Sequence, residues 1–196
     1  MKGPKWGNTY DLQILLHFKI TGIAIKMTRV KQCFFKLPGR GKVMICCDGA
    51  SKGNPGIAGL FFVERNEHDK YLGAGSGGLG ITTNYLAEVM ALIVAGEWAV
   101  QKKYEKVCFR LDSKAFLLAF SYDKIPWIVE NRWKNIRKHL SEISFIHSYR
   151  EINFSADKMA NKGVLLARGT IIYYEEKPSF LNQLEEEDGI YFRFSF

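Results

Sequence analysis

The chain has 196 residues, a formal net charge of +8 at pH 7, 47% hydrophobic residues and 24% charged residues. These fractions exclude a disordered or collagen-like chain, and the length suits one domain with extensions rather than two full domains. The charge is uneven. Residues 1–42 hold nine Lys/Arg (Lys2, Lys5, Lys19, Lys26, Arg29, Lys31, Lys36, Arg40, Lys42) against Asp11 alone, and residues 169–196 hold two basic and six acidic residues. The expected organisation is a basic N-terminal extension (1–42), a mildly basic globular body (43–168) and an acidic C-terminal tail (169–196). A basic arm suits an anionic partner such as nucleic acid, or a block of charge that only solvates a terminus.

In chain order, Leu12–Ile25 is apolar but broken by His17 and Lys19. It is too short and too broken to cross a bilayer, and it sits too far in for a signal h-region. No membrane partner and no clear targeting signal are expected, which favours the nucleus or cytoplasm. Cys33, Cys46, Cys47 and Cys108 form no C-x-x-C pair, so neither zinc nor a disulfide framework is expected. After the turn-rich linker Leu37–Gly41, Val43–Cys47 reads as a central strand. Asp48–Pro55 reads as a polar loop, Gly56–Arg65 as a second strand and Lys70–Gly80 as a Gly-rich third. Thr82, Thr83 and Asn84 offer N-caps to a mostly buried helix running to Lys103. Lys106–Leu111 is a fourth strand and Asp112–Ser121 a short helix. Pro126 opens a helix to Leu140 with Val129, Trp133, Ile136 and Leu140 on one face. Ile143–Tyr149 is a fifth strand and Ser155–Ala167 a last helix. The pattern predicts an α/β fold with a mixed sheet covered by helices.

Four acids occupy unusual places. Asp48 follows the first strand directly, Asp112 ends the fourth, Glu88 interrupts the apolar run Leu86–Ala95, and Asp157 lies in the first turn of the last helix. Neighbouring parallel strands end together, so Asp48 and Asp112 are expected side by side, with a covering helix bringing Glu88 to them. Carboxylates gathered in this way repel and raise one another's pKa unless a cation lies among them. Oxygen-only ligands suit Mg²⁺ or Mn²⁺. Two such ions about 3.5–4 Å apart activate a water and stabilise the leaving oxygen in phosphodiester cleavage. Taken singly, Asp112 and Asp157 also read as caps and Asp48 as a turn residue. Glu88 resists such a reading, because a lone buried carboxylate costs several kcal/mol.

Asp48-Gly-Ala-Ser-Lys-Gly-Asn-Pro-Gly56 resembles the first motif of ribonuclease H type 1 domains. Thr82-Thr-Asn-Tyr-Leu-Ala-Glu88 resembles the second, Arg110-Leu-Asp112-Ser the third, and Tyr149-Arg-Glu-Ile-Asn153-Phe-Ser-Ala-Asp157-Lys-Met-Ala the fourth. The wording is closest to the plant branch derived from non-LTR retrotransposon reverse transcriptases, which shares Pro126-Trp127, Asn131-Arg132-Trp133 and a tail ending like Asp188–Arg193. The resemblance implies a ribonuclease H-like fold with a five-stranded mixed sheet, an antiparallel meander of strands 1-2-3 followed by parallel strands 4 and 5. It implies Mg²⁺-dependent (Mn²⁺ as substitute) endonucleolytic cleavage of the RNA strand of RNA–DNA hybrids, and a monomer is expected. Asp48, Glu88, Asp112 and Asp157 then become catalytic metal ligands, and Asn54, Asn84 and Asn153 contacts to the hybrid. An inactive nucleic-acid-binding module retained from a retroelement is the rival reading.

Other features are weighed against this. Gly73–Gly78 fits G-x-G-x-x-G, but no helix opens at the glycines, so close strand packing is the expectation. His147 lies ten residues before Asp157 inside an apolar run and is expected as a strand residue, with Arg150 in the loop position. Trp127 and Trp133 are expected in the core, and Lys102, Lys103 and Lys106 at a helix end that contacts phosphates or solvent. Phe61-Phe62 stands where small residues are expected on the second strand.

Overall fold

The computed structural model describes residues 9–20, 29–181 and 183–195. Lys2, Lys5 and Lys26 of the basic arm lie outside the described residues. The elements run α1 (Thr9–His17), β1 (Arg29–Phe34), β2 (Val43–Gly53), β3 (Gly56–Arg65), β4 (Tyr71–Thr82), α2 (Asn84–Gln101), β5 (Lys106–Leu111), α3 (Lys114–Ser121) and α4 (Trp127–His139). They continue with β6 (Glu142–His147), a 3-10 turn (Arg150–Ile152), α5 (Phe154–Gly163), β7 (Ile171–Tyr174) and β8 (Ile190–Ser195).

The main sheet has strand order β6-β5-β2-β3-β4-β7. β2, β3 and β4 form the antiparallel meander, while β5 pairs parallel with β2 and β6 parallel with β5. The mixed topology matches the expectation, but the sheet has six strands rather than five. The added strand is β7, from the segment expected as tail, which pairs antiparallel with β4 from Ala74↔Tyr174 to Gly77↔Ile171. An open edge exposes unpaired backbone donors and acceptors, and Ile171–Tyr174 is a run of β-formers suited to closing it. Tyr173 also lies flat on Trp98 of α2, with ring centroids 4.2 Å apart at 8°. A second correction concerns β2. It does not end at Cys47 but runs on to Gly53, because the hairpin with β3 stays in register from Met44↔Arg65 to Gly53↔Gly56.

Alternation along β2 separates two cores. Ile45 and Cys47 face α2, α3 and α4 with Leu60, Phe62, Leu92, Phe109 and Trp133. Met44 and Cys46 face α5 with Phe61, Val63, Met159 and Ala160. Phe61 and Phe62 thus serve opposite faces. Room for Phe62 comes from its register partner Gly75, where an added Cβ would lie 2.4 Å from the Phe62 ring. A Cβ at Gly78 would likewise fall 2.2 Å from the Leu166 carbonyl oxygen, so Gly75 and Gly78 are packing residues, as expected. All four cysteines are free and buried. Trp133 is in the core, but Trp127 at the start of α4 is 84% exposed. It opens the helix on the side away from the apolar stripe, which corrects its assignment to the core. Among the described residues no helix is long and apolar enough to cross a membrane.

The arm and the tail meet. β1 and β8 form a separate antiparallel two-stranded ribbon, Arg29↔Ser195 through Phe34↔Ile190. Upstream of β8, Glu185 is fully buried. It pairs with buried Arg65 at 2.7 Å and accepts from both the backbone N–H and the hydroxyl of Ser155, each at 2.8 Å. That carboxylate caps α5, the helix carrying Asp157.

Candidate active site

Asp48 sits in mid-strand on β2, two positions past the last β2–β5 pair, Cys46↔Arg110. Asp112 is two residues past Arg110, so the two carboxylates lie side by side just beyond the last β2–β5 pair. Glu88 reaches them because α2 lies directly on β2 at Gly49. A Cβ there would fall 2.2 Å from the Ala87 carbonyl carbon and 2.3 Å from the Glu88 nitrogen. Only glycine permits that approach, and it sets Glu88 beside Asp48. Thr83 caps α2 by accepting from the Leu86 N–H.

These residues line a cleft of about 410 Å³ that also includes Ser51, Asn84, Ser113, Arg150 and Asn161. Asp48 is 7% exposed. Burial pushes its carboxyl up to about 8, the charges of Asp112, Asp157 and Glu88 add to this, and the Gly49 N–H opposes it with a 2.8 Å hydrogen bond. Glu88 is raised to about 7, by burial and then by Asp112, with Ser113 and Arg150 acting the other way. Burial raises Asp112 too, and the Arg150 charge counters it.

Asp157 stands at the edge of this group, with its charge acting on Asp48 and Asp112. Arg150 holds it through Nε at 2.9 Å and through Nη2. Three of the four expected carboxylates therefore line the cleft, and the fourth is tied to a guanidinium that lines it too. Among the described residues no three His, Cys, Asp or Glu converge closely enough to form a ready metal cage. The donor set nevertheless fits a hard divalent cation in its chemistry. It offers oxygen ligands alone, and Asp48 and Glu88 are held well above their ordinary range by burial and neighbouring charge, which a cation would relieve.

The three asparagines part company. Asn54 lies exposed at the β2–β3 hairpin tip, where its Oδ1 accepts from the Asn84 backbone N–H at 3.1 Å. Asn84 is exposed at the start of α2 and donates from Nδ2 to Glu88 Oε1 at 3.0 Å. Asn153 departs from the expected contact role. It is fully buried and donates to the Cys47 carbonyl at 3.3 Å, bracing the turn before α5 against β2. His147 ends β6, as a strand residue should, and its Nε2 lies 3.0 Å from the Asp112 carbonyl oxygen. Sequence reasoning missed Ser113 and Asn161. The second was signalled by spacing, since it follows Asp157 by one helical turn and donates to the Asp157 carbonyl at 3.0 Å.

Comparison with known proteins gives a consistent result. The family profile described as reverse transcriptase-like matches residues 46–163. A ribonuclease H of Ralstonia nicotianae is 31% identical over 150 residues, covering 66% of this chain and 96% of its own length. A candidate ribonuclease H protein of Arabidopsis thaliana is 30% identical over 158 residues, or 78% of this chain, and the chain spans only 25% of that longer relative. Among solved structures, ribonuclease H1 of Halobacterium salinarum aligns with a TM-score of 0.59 at 28% identity, covering 63% of this chain and 98% of that one. The LC11 ribonuclease H1 in complex with an RNA/DNA hybrid aligns with a TM-score of 0.56 at 28% identity, covering 62% of this chain and 96% of that one. The shared sheet topology, the ordered carboxylate motifs and these matches agree: the chain belongs to the reverse transcriptase-like family of ribonuclease H-fold proteins.

Proposed function

We propose that this chain is a metal-dependent nuclease that hydrolyses the RNA strand of RNA–DNA hybrids. One observation carries the reading: Asp48, Glu88 and Asp112, drawn from three separate elements, line a single cleft with Asp157 at its edge, and burial with mutual charge raises the first three. Asp48, Glu88, Asp112 and Asp157 would hold Mg²⁺ or Mn²⁺, by the two-ion scheme of the family. Bound there, divalent ions supply charge neutralisation and a more acidic water. The overall reaction adds water across one phosphodiester. The water oxygen bonds to phosphorus, the bond to the 3′ oxygen breaks, and the products are 5′-phosphate and 3′-hydroxyl ends.

The chain's own groups have separable tasks. Exposed Asn54 and Asn84 are joined to each other, so the hairpin tip and the start of α2 form one unit next to the carboxylates. Short amides so placed suit the wide minor groove of a hybrid, where 2′-hydroxyls distinguish RNA from DNA. Arg150 holds the Asp157 carboxylate and tempers Asp112. The test uses the purified chain, a labelled RNA–DNA hybrid and Mg²⁺, against EDTA and Asp48→Asn. Cutting that needs Mg²⁺ and Asp48 is expected. Salt-dependent hybrid binding without cutting under any condition would replace the nuclease by an inactive binding module.

A further inference from the structure

The β1–β8 ribbon lies outside residues 46–163, yet one of its faces is turned onto the segment that carries Arg150. On that face Lys31 of β1 stands directly opposite Arg193 of β8. Like charges placed opposite each other weaken a two-stranded pair, so this pairing is a poor choice for the ribbon alone. Both cations instead converge on Tyr149. The Lys31 ammonium donates to the Tyr149 hydroxyl at 2.9 Å and lies 5.0 Å from its ring centre. The Arg193 guanidinium lies 4.5 Å from the same ring centre, and its Nη1 is 3.6 Å from Glu151. Next to them on the same face, Cys33 is buried and Tyr191 packs on Phe154 at 6.1 Å.

Tyr149 is a junction. Its ring meets His147 edge-on at 5.4 Å, and His147 rests on the Asp112 carbonyl. The next residue is Arg150, whose guanidinium holds Asp157. The Tyr149 ring thus stands in a line of contacts that reaches the Asp112 backbone on one side and adjoins Arg150 on the other. A second tail residue acts on the same segment, since Glu185 caps the helix bearing Asp157.

We infer that Lys31 and Arg193 are positioning residues for the carboxylate site, gripping Tyr149 from two strands outside the nuclease core so that Arg150 and Asp157 keep their places. The inference deepens the nuclease reading and rests on it. Cation–π contacts and a charge-assisted hydrogen bond give the grip directionality that a purely apolar contact lacks.

The experiment compares the full chain with Lys31→Met, Arg193→Met, the double variant and the conservative Lys31→Arg. It reads three quantities: kcat and KM on a labelled hybrid with Mg²⁺, Mn²⁺ affinity in the absence of substrate, and amide hydrogen exchange over residues 149–157. Misplacement at a distance is costly to chemistry, so each single Met variant should lose about tenfold in kcat with KM within about twofold. Each should also bind Mn²⁺ more weakly and exchange faster over residues 149–157. The double variant should lose less than the product of the singles, because both act through Tyr149. Lys31→Arg should restore most of kcat. Val30→Thr, on the outer face of the same ribbon, should leave kcat and Mn²⁺ affinity unchanged, separating positioning from general loosening. If the natural chain cuts and binds Mn²⁺ but Lys31→Met and Arg193→Met match it in kcat, Mn²⁺ affinity and exchange, the inference is wrong and the nuclease reading survives. If the natural chain neither cuts hybrid nor binds Mn²⁺, both fall together.

Discussion

Replacing Asp48 by asparagine should stabilise the metal-free protein at alkaline pH while abolishing cleavage. The Asp48 carboxyl is raised from its ordinary 3.8 to about 8 by burial and by the charges of Asp112, Asp157 and Glu88. A carboxyl raised on folding binds its proton more tightly in the folded chain. Its stabilising effect is therefore complete below pH 3.8 and is lost as pH rises towards 8. At about 1.36 kcal/mol per pH unit, the gap from 3.8 to 8 sets a ceiling of about 5–6 kcal/mol. The nearby Arg150 charge offsets part of it, so a gain of about 2 kcal/mol for Asp48→Asn at about pH 8.5 is expected. For a chain of this size that is about 4–8 °C in Tm. The assay is thermal unfolding in EDTA from about pH 5 to pH 9, repeated with Mg²⁺. The natural chain should lose stability across that range and regain it with Mg²⁺ at high pH, and the Asp48→Asn variant should flatten both effects. Equal pH slopes in the two proteins, or a variant less stable than the natural chain at the alkaline end, would refute the electrostatic account.

Packing sets three more expected outcomes. Gly49→Ala forces a methyl to within 2.2 Å of the α2 backbone, so stability should drop by about 1–3 kcal/mol in denaturant melts, and displacement of Glu88 should lower kcat by about 10²-fold. Asn153→Ala leaves the Cys47 carbonyl without this side-chain donor in the interior; it should cost about 1–3 kcal/mol in stability with hybrid KM unchanged, and a raised KM would return Asn153 to a contact role. Tyr173→Ala removes the ring stacked on Trp98; chemical denaturation should show a loss of about 1–2 kcal/mol, and no loss would mean that β7 contributes little to the sheet.

Much of the site could be read from the sequence because its chemistry is local. Asp48, Asp112 and Asp157 each interrupt or follow a periodic element, and Glu88 inside the apolar run Leu86–Ala95 is too costly to bury without a purpose for its charge. The element types were legible for the same reason, since the continuous apolar run Val43–Cys47 and the cap residues before α2 are encoded within a few residues. The burial of Asn153 was not legible, because its spacing is the same whether its side chain points outward or into the core. Trp127 misled because one turn of helix offers both a buried and an open side.

Charge gives the clearest division between the two levels. Residue order alone makes residues 1–42 basic and residues 169–196 acidic, and sets four carboxylates in an order suited to a cation. It does not determine that these terminal blocks pair with each other, because strand pairing between Arg29–Phe34 and Ile190–Ser195, at opposite ends of the chain, leaves no periodic trace. It takes the folded chain to bring Lys31 and Arg193 onto one tyrosine, to set buried Glu185 against Arg65 at the start of α5, and to close the sheet with Ile171–Tyr174. The physical reason is that burial and long-range contact turn a charge from a property of a segment into a property of a place.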